Sequence, residues 1–211
     1  MNGAAGGPWL MLTPSGVLHA FSRREPDPER RALQALLAAP QAQDAAAWRA
    51  RCAGVGADVD ALLEAAGRQH WVQVLHRPQP GPEVRLDDFA QHVIAPLSGE
   101  RRAVLASESG FSLGHAGLSQ EEADALSAAA ADFSDYAARQ SRRGWDGAGR
   151  CVSFLSDPHL LLPDWSFVPF WVEGAGYWLA IGGEPLLNNL AMVELAWSIR
   201  LAGNRFAAPV V

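Results

Sequence analysis

The period of the apolar positions changes several times along the chain, and each change marks an element. Two short apolar runs, residues 9–13 and 17–21, flank Pro14-Ser15-Gly16, which predicts a hairpin turned by proline and glycine. Asp27-Pro28-Glu29 has the make-up of a helix start: an N-cap, a proline at the first position and an acid in the first turn. Leu33, Leu36 and Leu37 give that helix an apolar face, and Pro40 ends it. Further helices are predicted over residues 45–53 and 58–66, the latter presenting Val59, Leu62 and Leu63, with a strand at 71–75.

The second half is patterned more regularly. Residues 88–95 predict a short helix stopped at Pro96. Residues 102–107 and 111–116 predict a hairpin around Glu108-Ser109-Gly110. Ser119, with Glu122 three residues on, forms a capping box that opens a helix running to about Arg142. Strands are predicted at 151–155, 165–172 and 177–181, the last two joined at Gly174-Ala175-Gly176. A closing helix starts near Pro185 and runs to about Leu201, with Leu190, Val193, Trp197 and Leu201 on one face and Met192 and Ile199 beside it. Pro169 falls inside an inner strand, where it removes a ladder donor, so a bulge or an edge position is required there.

Residues 77–86 hold three prolines and a glycine, which places a linker between a first unit, 1–76, and a second, 87–203, followed by a tail at 204–211. Charge divides unevenly across that linker. Nine Arg against eight Asp and Glu leave +1 over residues 1–86, whereas eight against fifteen leave −7 over 87–211, within a net charge of −6. An acidic second half repels a phosphate backbone, so nucleic acid is not an expected partner. The two cysteines, Cys52 and Cys151, form no C-x-x-C pair, and the N-terminus lacks the basic region of a signal peptide. The most apolar stretch, 167–183, is interrupted by Glu173, Gly174 and Gly176 and predicts two strands rather than a membrane span. A cytoplasmic protein without a membrane partner is expected.

The order helix, two strands, helix, three strands, helix resembles the roadblock (dynein light chain) superfamily. The segments that carry the likeness are VLASESGFSLGHAG, SQEEADALSAAAADFSDYAARQ, FVPFWVEGAGYWLAIGG and EPLLNNLAMVELAWSIRLAG, within residues 87–203. The resemblance implies an α/β (α+β), profilin-like fold with a five-stranded antiparallel sheet between helices. The preceding helices and closing strand loosely resemble a winged helix; by themselves they read first as a small helical cap packing its leucines. The third of these helices, DVDALLEAAGRQ, is acidic, which suits a protein partner better than DNA.

The long helix reads as two faces. Leu126, Ala130, Phe133 and Ala137 are spaced for burial against a sheet. Asp124, Ala128, Ala131, Asp135, Ala138 and Arg142 form the other face, whose alanines allow close approach of a second helix. By itself that face also reads as a solvated surface rich in alanine for helix propensity. The resemblance implies that it pairs, giving a homodimer that acts as a platform for a Ras-like small GTPase, as in bacterial roadblock proteins.

Two other readings stand beside this one. A ligand-sensing or transcription-associated adaptor would bind a small molecule in the second unit. A serine hydrolase would use Gly110-Phe111-Ser112-Leu113-Gly114, a G-x-S-x-G string, with Asp157 and His159 completing a triad. The elbow in such enzymes runs straight into a helix, whereas here the capping box lies seven residues further on. The histidines, His19, His70, His76, His92, His115 and His159, show no metal-ligand spacing, and neither a P-loop nor a G-x-G-x-x-G string occurs. No catalytic residue, metal site or cofactor is expected on the leading reading. Trp165, Trp171 and Trp178 read as core rather than as a ligand cage.

Overall fold

The computed structural model describes residues 8–82, 89–145 and 150–203. The expected tail 204–211, linker residues 83–86 and the Asp88 start of the expected short helix lie outside them.

The first unit is built on a three-stranded antiparallel sheet in the order β2-β1-β3, with β1 (Trp9–Leu12) between β2 (Gln43–Asp44) and β3 (Val72–Leu75). The expected hairpin at 9–21 does not form. Residues Pro14–Ala20 are instead a helix, α1, with Pro14 at its first turn and the Thr13 hydroxyl accepting from Gly16 N. Proline followed by a small residue serves a turn or a helix start equally well. The choice is made by distant packing: a Cβ on Gly16 would sit 2.0 Å from the Trp71 carbonyl oxygen. Helices α2 (Pro28–Gln34), α3 (Ala45–Arg51) and α4 (Val59–Arg68) are each N-capped by an aspartate, Asp27, Asp44 and Asp58.

The second unit is a five-stranded antiparallel sheet in the order β5-β4-β8-β7-β6. Its strands are β4 (Ala103–Ser107), β5 (Ser112–Ala116), β6 (Val152–Phe154), β7 (Trp165–Val172) and β8 (Ala175–Gly182). A π-helical turn (Ala90–Ile94) and a 3-10 turn (Ala95–Leu97) precede it. Helix α5 (Gln120–Ser141) covers one face and helix α6 (Leu190–Ala202) the other. The sheet therefore lies between helices, in an α+β architecture.

Three local expectations are corrected. The β7–β8 turn is the pair Glu173-Gly174, both at positive φ, rather than Gly174-Ala175-Gly176. The closing helix begins at Leu190, capped by Asn189, and not near Pro185. Residues 185–186 bond instead to the preceding turn, through the Ser98–Pro185 bridge and Leu186 N to Leu97 O at 2.9 Å. Its end residues Leu190 and Leu201 are exposed, while its middle is buried all round between the sheet and the first unit. Pro169 occupies an edge position: β7 pairs with β8 in unbroken register, β6 reaches only to Phe167, and on that outer side Trp171 N donates to Phe21 O.

One apolar cluster runs through both units, from Leu10 to Ile199. Trp48 Nε1 donates to Ala32 O and Trp197 Nε1 to Ala39 O, so the two buried indoles leave no orphan donor. Of the proline-rich segment, Gly81 is buried, donates to Pro40 O and lies under Trp197. No helix among the described residues is long and apolar enough to cross a membrane.

Candidate functional site: an unevenly covered sheet face

Helix α5 is anchored at its start by the capping box. Ser119 Oγ accepts from Glu122 N at 3.3 Å and Glu122 Oε2 accepts from Ser119 N at 2.9 Å. The bonds that its carboxylate accepts from Ser119 N and Ser119 Oγ hold the exposed Glu122 below its ordinary value. One helix face is then zipped to the sheet. Ala123, Ser127 and Ala130 are buried over Val104, Ala106, Trp178 and Ala180, and the small side chains bring helix and sheet close together. Ser127 Oγ donates to Ala123 O, and Trp178 Nε1 donates to Ser134 Oγ at 2.6 Å. Of the four residues expected on this face, Ala130 is buried and Leu126, Phe133 and Ala137 are half-buried.

The opposite face is open. Asp124, Ala128, Asp135, Ala138 and Arg142 are all exposed. Ala131 departs from the expected set: it is half-buried against the β4–β5 turn, its Cβ 3.2 Å from where a Gly110 Cβ would stand. The helix thus turns five of the six residues outward and holds the sixth against its own sheet.

The cover given by α5 fails toward β6. It lies over β5, β4 and β8, and Phe133 reaches further, meeting Phe167 edge-on at 4.9 Å and Phe154 at 5.8 Å. Beyond it Val152 and Trp165 are half-buried and Phe154 is 48% exposed. The outer edge of β6 has no strand partner among the described residues. The loop that follows adds Leu160, Leu161 and Leu162, and Leu161 is 74% exposed. Its shape is built by Asp157, which accepts from His159 N at 2.8 Å and Leu161 N at 3.3 Å, while Leu160 sits at positive φ. At the far end of α5, Tyr136 and Trp145 pack edge-on at 6.5 Å and are both exposed. A run of three leucines in a sequence reads as core; the outward turn of 160–162 depends on the Asx geometry of Asp157.

The residues of the hydrolase reading are not brought together. Ser112 lies in strand β5, paired with Ala106, and the register shifts beside it at Leu113. Asp157 and His159 follow β6, at the other edge of the sheet, about 19 Å away at four strand spacings. Of the tryptophans, Trp178 is buried, Trp165 lies under the Arg102 guanidinium at 5.1 Å, and Trp171 is half-buried. His19 stacks on Trp71 with ring centres 3.7 Å apart, and burial together with Arg30 lowers its pKa. No group of three or more metal-ligating side chains occurs among the described residues.

No family model matches the chain, and no curated protein and no solved structure matches it significantly.

Proposed function

We propose that the protein is a non-catalytic interaction module that works as a homodimer, with α5 and the β6 side of the sheet as the pairing surface. The observation that carries this reading is the half-covered face: an alanine-rich helix surface runs beside an apolar shelf of Phe154 and the 160–162 leucines, next to an unpaired strand edge. Large exposed apolar side chains mark a contact surface where a partner covers them together, and a second α5 laid antiparallel would cover what the first leaves bare. The five-stranded antiparallel sheet between helices is compatible with the resemblance to a roadblock domain, and that resemblance supports a role as a platform for a Ras-like small GTPase. The acids of α4, Asp58, Asp60 and Glu64, are exposed, which favours a protein partner over nucleic acid for the first unit as well.

Light scattering tests the pairing. The wild-type chain should run at twice its 22.6 kDa mass at micromolar concentration. Ala128→Arg, placed at an exposed position rather than at the half-buried Ala131, should give a monomer with unchanged circular dichroism. A monomeric wild-type protein contradicts the proposal. For the GTPase step, a purified Ras-like GTPase from the same genome should be retained by the dimer in one nucleotide state, and retention in neither state removes that step.

A further inference from the structure

A second feature lies where the two units meet. A cleft of about 310 Å³ is walled by Arg23 and Arg24 after α1, Arg31 of α2, Trp171 of β7, the Glu173-Gly174 turn and Arg200 in the last turn of α6. Four arginines against one glutamate make this lining +3 in a chain whose net charge is −6. Like charges gathered from three separate parts of the chain repel one another unless something neutralises them.

The chain itself neutralises them only in part. Arg24 is engaged by Glu108 and the Gly174 carbonyl. Neither Arg23 nor Arg31 forms an ion pair among the described residues, and both are exposed. Arg200 is the informative one. Its side chain is only 16% exposed, and its Nε is buried without a hydrogen-bond partner. Its carboxylate neighbour, Glu173, stands 3.8 Å away and is itself half in solvent. Burial pulls the guanidinium's pKa down and the nearby Arg51 adds to this, while Glu173 opposes them. A buried guanidinium N–H with no acceptor is costly, and such groups in folded proteins are normally answered by protein, by ordered water or by a bound ion.

We infer that this cleft binds a small molecule through a phosphate or diphosphate group, seated between Arg23, Arg31 and Arg200. Guanidinium forks match phosphate oxygens. A carboxylate presents one edge to one fork, whereas a phosphate's oxygens accept from several directions, as three arginines on three elements require. The incoming phosphate accepts from the Arg200 guanidinium, whose carboxylate neighbour Glu173 stands at 3.8 Å. Trp171 lines the same cleft and offers an indole surface for the rest of the ligand. The volume is at the small end of ligand pockets, so the ligand is a compact phosphate ester or diphosphate. Because the cleft joins the first unit to β7 and α6, its occupation clamps the two together.

The probe is pyrophosphate, tested by thermal unfolding and calorimetric titration against sodium chloride at matched ionic strength. Millimolar pyrophosphate should raise Tm by about 4 °C, and chloride should not. Arg23→Glu and Arg31→Glu, both at exposed positions and so expected to fold, should each weaken binding by roughly tenfold or more. Arg200→Gln should abolish it. Ala128→Arg should bind as wild type does, which separates this inference from the pairing proposal. The inference is overturned if pyrophosphate leaves the wild type unmoved, if chloride does the same as pyrophosphate, or if the Arg23→Glu, Arg31→Glu double variant still binds with wild-type affinity.

Discussion

The two faces of the five-stranded sheet are finished differently. On one, Leu105, Val168, Phe170, Leu179 and Ile181 are sealed beneath α6 and the first unit, none of them more than 7% exposed. On the other, α5 seals the β4–β8 side with small residues and then stops, leaving Phe154 and the leucines of 160–162 in solvent. Both faces are made of the same kinds of strand residue. What differs is how much of the chain remains to cover them: one face has a whole N-terminal unit and a buried helix, the other a single helix with one aromatic, Phe133, at its margin. A face completed within the chain contributes stability. A face left open offers a contact.

Substitutions can break that contrast, in decreasing order of effect. Leu179→Ala on the sealed face should cost about 3 kcal/mol, since a cavity there cannot collapse, and would be seen as a lower midpoint in denaturant. Phe133→Ala at the margin of the open face should cost roughly 2 kcal/mol, less than full burial would give because the ring is only half-covered. If Phe133→Ala proves the costlier of the two, the faces are not distinguished as described. Ser119→Ala removes the α5 cap and should cost about 1 kcal/mol by the same measurement. Leu161→Asp should leave monomer stability within about 0.5 kcal/mol while weakening self-association in light scattering.

The smallest effect is a pH dependence on the sealed side. His19 is held neutral by its burial against Trp71 and by Arg30, so its folded pKa lies below the ordinary 6.5. The unfolded chain then binds the proton more readily, and stability falls as pH drops. His19's contribution is complete above pH 6.5 and is lost as pH falls through the lower folded value. Thermal unfolding at descending pH should show this loss, and His19→Phe should flatten it.

Features encoded within a few residues were legible in the sequence. The Ser119–Glu122 capping box, the aspartate cap at Asp27 and the β4–β5 hairpin all depend on side chains near their own backbone, and each is present. The α1 segment was misread because Pro14-Ser15-Gly16 suits a turn as well as a helix start, and Trp71, far along the chain, decides between them. Five of the six outward positions on α5 followed from helical period alone; Ala131 did not, because the turn at Gly110 approaches it. The 160–162 leucines and the arginine cleft were out of reach for the same reason. Composition cannot tell an exposed apolar run from a core one, and Arg23, Arg31 and Arg200 are gathered only by the packing of α2 and α6 around β7.

The central claim is that the bare part of the α5 face is covered by a second copy. Hydrogen exchange at two protein concentrations, one well above and one well below the dissociation constant of the dimer, tests it directly. Protection should rise with concentration in β6, in residues 155–162 and along α5, and stay constant in β4 and β8. Exchange that is the same at both concentrations in β6 and α5, or a rise confined to other surfaces, would contradict the account.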